Sequence, residues 1–110
     1  MRDIIARMQT GKPLVPQKAA RQVGRPEGEP PCSVFVHNDA TTPMDFAIHA
    51  LVTVFLVPLL NAEQIMFAAH VNGKAYVQTL PAAEAMRRIG KARFAARLRG
   101  FPLDFSVESP

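Results

Sequence analysis

Proline holds φ near −65° and cannot donate a backbone hydrogen bond, so ten prolines in 110 residues restrict where regular structure can run. Their distribution is uneven. Pro13, Pro16, Pro26, Pro30 and Pro31 crowd the first 31 residues together with Gly11, Gly24 and Gly28, and few large apolar side chains follow Val15 there. Such a segment buries too little surface to offset the entropy of ordering it. Residues 1–31 are therefore expected to form a flexible tail with a helical turn at residues 2–8, and residues 32–110 to form one folded domain. Within that domain Pro43, Pro58, Pro81 and Pro102 stand singly, as punctuation between elements.

The stretches between these prolines are readable. Ser33–His37 lies in "CSVFVHN", which alternates and is rich in β-branched residues, and is expected to be a strand. Thr42, Pro43 and Asp45 then make a helix start, with Thr42 as the cap, Pro43 at the first helical position and Asp45 where a capping box wants its acid. The helix runs through "MDFAIHALVTVF", is apolar on nearly every face and is expected deep in the core. Pro58 is expected to end it. Asn61 is read as the cap of a second helix, "AEQIMFAAH", with Gln64 as its capping-box partner and Gly73 as a left-handed stop. "KAYVQTL" is a second strand. Pro81 opens a third helix, whose apolar positions are Met86, Ile89 and Phe94, and Gly100 closes it. "LDFSV" is the third strand. The order β-α-α-β-α-β predicts an α+β fold, a small three-stranded antiparallel sheet with three helices packed on it.

Charge narrows the function classes. The net charge is +4, and residues 83–100 hold six cations against the single acid Glu84. A basic helix of this kind keeps nucleic-acid binding open as a rival reading, carried by Arg87, Arg88, Lys91, Arg93, Arg97 and Arg99. The lone Cys32 can form no internal disulfide and fits a reducing, cytoplasmic setting. The apolar run from Ala50 to Leu60 is broken by Pro58 and too short to span a bilayer. Three histidines without metal-ligand spacing, no Gly-rich phosphate loop, and no orienting group for a Cys–His pair speak against an enzyme. A binding module without cofactor or metal is expected.

One stretch exceeds the needs of folding. In "HNDATTPMDF" the pair Asn38–Asp39 precedes the first long helix. Asn and Asp favour such turns anyway, so a purely local role is open. Equally, His70 near a helix C-terminus can interact with the helix dipole alone, and Met44, Met66 and Leu103 are ordinary core candidates.

Taken together, "VHNDATTPMDF", "AEQIMFAAHVNGKA" and "GFPLDFSVES" resemble the ClpS family of bacterial Clp-protease adaptors. That family shows Asn-Asp-(Asp/Glu)-x-Thr-Pro-Met-(Glu/Asp)-Phe, then a helix ending in His-x-x-Gly-(Lys/Arg), then Pro-Leu. The likeness covers residues 33–108 in the same order, and the family also has a disordered N-terminal extension. It implies an adaptor that binds the free N-terminal residue of proteins marked for destruction, preferring Leu, Phe, Tyr and Trp, and passes them to a ClpA-type unfoldase. By the resemblance Asn38, Asp39 and His70 surround the α-amino group, and Thr42, Met44, Ala47, Met66, Ala69 and Leu103 line the side-chain pocket. Glu84 and Arg88 are the positions expected to dock on the unfoldase. Three features depart from the family. Ala40 replaces a second acid, Ala69 replaces a common Val, and "YVQTLPAAEAMRR" lacks the usual Gly-Val-(Phe/Tyr)-Thr-x-Glu-Val-Ala pattern, with Glu84 one place late for the docking acid.

Overall fold

A computed structural model describes residues 30–110. The tail expected over residues 1–31, with its turn at 2–8, falls outside the described residues except for its last two positions, and Pro31 already belongs to a strand. The elements are β1 (Pro31–His37), α1 (Met44–Thr53), α2 (Leu59–Asn72), β2 (Lys74–Pro81), α3 (Ala82–Leu98) and β3 (Asp104–Glu108). This is the expected order, and the three strands form one antiparallel sheet in the order β2-β1-β3.

β1 is central because its alternation suits a strand covered on one face. Val34 and Val36 are completely buried while Phe35 and His37 point the other way and keep some exposure. Its register against β3 pairs Val36 with Phe105 and His37 with Asp104. Against β2 it pairs His37 with Lys74, with an irregularity between Val34 and Phe35. The helices cover the Val34–Val36 face, and the core there is built from Leu51, Phe55, Ile89, Leu103 and Phe105 with many alanines. The other face carries Phe35 edge-on to Tyr76, at 5.9 Å between ring centroids, with the Lys74 ammonium over Phe35.

Both helix caps read from the sequence are corrected. α1 begins at Met44, and Pro43 is the cap residue, extended at φ −61° and ψ 141° and without a side-chain cap bond. Thr42 stands one residue before the cap position and is instead a donor to Asp39 through its N–H and hydroxyl, and the Asp45 carboxylate turns to the adjacent Phe46 N–H. Likewise α2 starts two residues before Asn61, with Pro58 as its cap residue. Pro58 therefore opens α2 and does not end α1. α1 has already stopped at Thr53, and the chain reverses through Leu56 at φ +59°, a left-handed conformation that costs a non-glycine residue about 1–2 kcal/mol. α1 is also shallower than expected, since Ala47, Ala50 and Leu51 are buried but Met44 is 41% exposed.

On α3 the apolar positions divide. Ile89 is buried, whereas Met86 and Phe94 are exposed, and the core stripe is Ala85, Ile89, Ala92 and Ala96. Small residues let α3 lie close across all three strands. Gly73 does stop α2 as expected, at φ +94° with its N–H donating to Ala69 O at 2.7 Å. A positive φ of this size is free of steric cost only for glycine.

Candidate functional site

The C-terminal end of β1, the start of α1, the last turns of α2 and the approach to β3 meet at one end of the sheet. Between them lies a cavity of about 410 Å³, lined by His37, Asn38, Asp39, Ala40, Thr42, Met44, Ala47, Met66, His70 and Leu103. Eight of the nine residues expected to bind substrate are therefore brought together from four separate segments. The ninth, Ala69, is not in the lining. It faces the core from α2 with no exposure at all, so the cavity wall on that side is Met66 and His70. His37 and Ala40, to which the sequence assigned no role in binding, complete the rim. Their adjacency to Asn38 and Asp39 in the chain was the available signal.

The geometry divides into a polar rim and an apolar floor. Leu103 and Met66 are almost fully buried and Ala47 is 2% exposed, while Met44 stands at the opening. Methionine's flexible, polarisable side chain can adjust to guests of different shape. On the rim, Asp39 is held by its own turn. Its Oδ1 accepts the Thr41 and Thr42 N–H groups at 2.8 and 2.6 Å, and its Oδ2 accepts the Thr42 hydroxyl at 2.8 Å. Burial pushes the Asp39 pKa up, but these hydrogen bonds and the positive charge of Arg97 together outweigh it and hold the pKa below the ordinary carboxylate value. The carboxylate thus stays ionised and aimed by the backbone that follows it. A carboxylate oxygen has room for further donors, so the turn does not use up its acceptor capacity.

Asn38 and His70 are linked through α2's stop. The Asn38 N–H donates to Gly73 O at 2.9 Å, which ties the residue after β1 to the residue just beyond α2, three positions past His70. This backbone tie brings the two residues to one rim of the cavity. His37 Nε2 contacts Ser106 Oγ at 2.7 Å and so braces the rim against β3. The arrangement offers an amide oxygen, an ionised carboxylate and an imidazole above an apolar well. That set matches a cation attached to a large apolar group.

The residues expected to dock on an unfoldase lie elsewhere. Glu84 and Arg88 sit at the start of α3, where Arg88 Nε donates to Glu84 at 2.6 Å and Arg88 Nη1 reaches Phe55 O and Gln78 Oε1. Arg87 also bonds Glu84. Further along, Arg93 Nε pairs with Asp104 at 2.6 Å, Arg97 donates to Phe101 O and Leu103 O, and Arg99 lies over the Phe46 ring. Most guanidinium groups of the basic helix are thus engaged with the protein's own acceptors, which weakens the nucleic-acid reading. A larger groove of about 790 Å³ runs between α1 and the end of α3, lined among others by Phe46, His49, Leu98 and Phe101. None of the expected site residues borders it. Among the described residues no cluster of His, Cys, Asp and Glu could hold a metal ion, and no helix is long and apolar enough to cross a membrane.

Comparison with known proteins identifies the family. Residues 27–106 match the family described as ATP-dependent Clp protease adaptor protein ClpS. The ClpS adapter of Desulforapulum autotrophicum is 33% identical over 102 residues, covering 92% of this chain and 98% of that protein. The adapter of Syntrophus aciditrophicus is 33% identical over 75 residues, or 68% of this chain and 70% of its own length. Among solved structures, ClpS2 of Agrobacterium tumefaciens bound to L-phenylalaninamide superposes with a TM-score of 0.71 at 28% identity, covering 74% of this chain and 99% of that one.

Proposed function

We propose that this chain, which belongs to the ClpS family of ATP-dependent Clp protease adaptors, binds the free N-terminal residue of proteins destined for degradation. The chain is an adaptor and not an enzyme, as the family and its relatives are described. In this reading Asn38, Asp39 and His70 accept the three protons of an α-ammonium. Met44, Ala47, Met66 and Leu103 enclose the first side chain, which is a large hydrophobic one, Leu, Phe, Tyr or Trp. Thr42 acts through Asp39, whose oxygens it helps to aim.

The observation that carries the reading is the cavity itself, an ionised and pre-bonded carboxylate at the mouth of an apolar well. The related ClpS2 structure supports it, since L-phenylalaninamide carries a free α-amino group beside a benzyl side chain on the same carbon. Magnitudes are consistent. Hydrogen bonds to a charged group contribute about 1.5–3 kcal/mol each, and burying one Leu or Phe side chain about the same. Association removes several kcal/mol of that sum, which leaves an affinity on the order of micromolar or tighter.

Delivery follows from the same premise. The bound protein is handed to a ClpA-type unfoldase, with Glu84 and Arg88 at the start of α3 as the docking positions. Their ion pair leaves Glu84 24% exposed on its side chain, so a partner would read the pair and not a lone acid.

The test is fluorescence anisotropy with short peptides differing only at residue one, as Leu, Phe, Tyr, Trp, Ile and Met, and N-acetylated Leu. Free Leu and the aromatics bind, and both acetylation and His70→Ala abolish useful affinity. Equal binding of all seven peptides would overturn the reading.

A further inference from the structure

α2 is apolar on both of its faces. Its inner face puts Ala62, Met66 and Ala69 in the core. At 3.6 residues per turn the positions opposite these are Leu60, Gln64, Phe67 and Val71. The three large apolar ones among them are 66%, 67% and 62% exposed. A helix apolar all round belongs in a buried place, and the single chain covers only half of this one. At the N-terminal end of the helix Leu59 and Leu56 are exposed as well. Leu56 holds a left-handed backbone at φ +59°, which glycine would adopt at less cost, yet its side chain stands mostly in solvent.

We propose that this outer face of α2 is where a second copy of the chain docks, helix against helix, in a reversible dimer. Its spacing selects a helix as the occupant. Positions 60, 64, 67 and 71 follow one another by four, three and four, the a/d spacing by which one helix seats its side chains between those of another. Its charge and symmetry select a second copy. The stripe carries no charged residue, and Glu63 is the only acid or base beside His70 on α2. Two chains of net charge +4 can therefore meet there without setting cation against cation. Gln64 stands near the middle of the stripe. About a twofold axis through that point the two Gln64 amides come within reach of each other, and each supplies both donor and acceptor. A single polar residue at such a position fixes the register of paired helices.

The area available sets the strength. Leu56, Leu59, Leu60, Phe67 and Val71 together offer on the order of 500–600 Å², the upper end for the largest apolar patch of a typical monomer. With the polar rim around them this approaches the about 800 Å² per partner of a standard interface. The association is correspondingly weak, with a dissociation constant on the order of tens of micromolar. The inference is independent of the N-terminal reading above, since the stripe uses none of the residues assigned to the cavity.

The experiment is sedimentation velocity on the full chain from about 1 µM to about 1 mM, a range that brackets a dissociation constant of this size. The weight-average mass is expected to rise with concentration to that of two chains. Phe67→Glu, which sets two carboxylates into the seam, is expected to weaken association by about tenfold or more. Phe94→Glu, at an equally exposed aromatic on the outer face of α3, is expected to leave it unchanged. Both variants are expected to keep the parent's far-UV circular dichroism, since neither position is buried. A chain that stays monomeric to the highest concentration overturns the inference. So does a dimer that Phe67→Glu leaves intact, or that Phe94→Glu weakens as much. Should Phe67→Glu fail to fold, Gln64→Glu sets two like charges at the centre of the stripe and decides the matter by the same reading.

Discussion

The cavity end of the sheet and the basic helix α3 use polar groups in opposite ways. At the cavity, backbone N–H groups and a hydroxyl converge on one carboxylate and leave it ionised at an opening. Along α3, guanidinium groups fold back onto carbonyls, Glu84 and Asp104, and their charge is largely spent inside the molecule. A tally of cations would make α3 the functional surface. Which groups keep spare bonding capacity at a concave site decides otherwise, and that favours the region with less charge.

This contrast can be broken in several ways. The largest effect is expected within α3's buried stripe, where Ile89 is 1% exposed. Ile89→Ala should cost about 3 kcal/mol of stability in denaturant unfolding, whereas Phe94→Ala, at a position 67% exposed, should stay within about 0.5 kcal/mol. Similar losses for both would mean that the outer face of α3 is structural.

At the cavity, Asp39→Asn keeps the size of the side chain and removes its charge. Binding of a free Phe or Leu peptide should fall by about ten- to a hundredfold, matching one charge-assisted hydrogen bond. Affinity within twofold of the parent in the same titration would remove Asp39 from the proposed ammonium site.

Gly73→Ala probes the joint between the two halves of the rim. No atom would meet the new Cβ within 4 Å, so the cost is conformational, about 1–2 kcal/mol at φ +94°. Peptide affinity should fall along with stability, because Asn38 is bonded to Gly73 O. A drop in melting temperature with unchanged affinity would show that this hydrogen bond does not position the site.

The smallest effect is the acid response. The folded pKa values of Asp39 and Asp104 are both lowered, against burial, by hydrogen bonds and neighbouring arginines. Their stabilisation is thus fully present above the unfolded carboxylate value of about 3.9 and is lost as pH falls through the folded values. Urea melts from pH 6 downward should be flat at first and then weaken below about pH 4. Asp39→Asn should reduce that weakening, and an unchanged profile would separate Asp39 from acid stability.

Much of this architecture was legible in the sequence because proline and strand alternation are strong local signals. Pro81 and the run Val34–Val36 mark their elements by steric demands that tertiary structure did not override. The helix starts were misread because capping is a competition. Thr42 looks like a cap, yet the helix begins one residue later behind Pro43, and Thr42 turns its donors back to Asp39. On α3 a single 3.6-residue period fits two stripes, Met86-Gly90-Phe94-Leu98 and Ala85-Ile89-Ala92-Ala96. Alanine carries so weak an apolar signal that the true core stripe was hidden behind the larger residues. Within the site, family resemblance named nine residues, of which eight line one cavity, but it could not tell that Ala69 turns inward, since that depends on the rotation of α2.

The turn around Asp39 also has a bearing on time. Its three internal hydrogen bonds exist before any guest arrives, so little of the rim has to be organised during an encounter. On the proposed reading, association then needs little rearrangement of the rim, and discrimination between chain ends resides chiefly in how long each one stays.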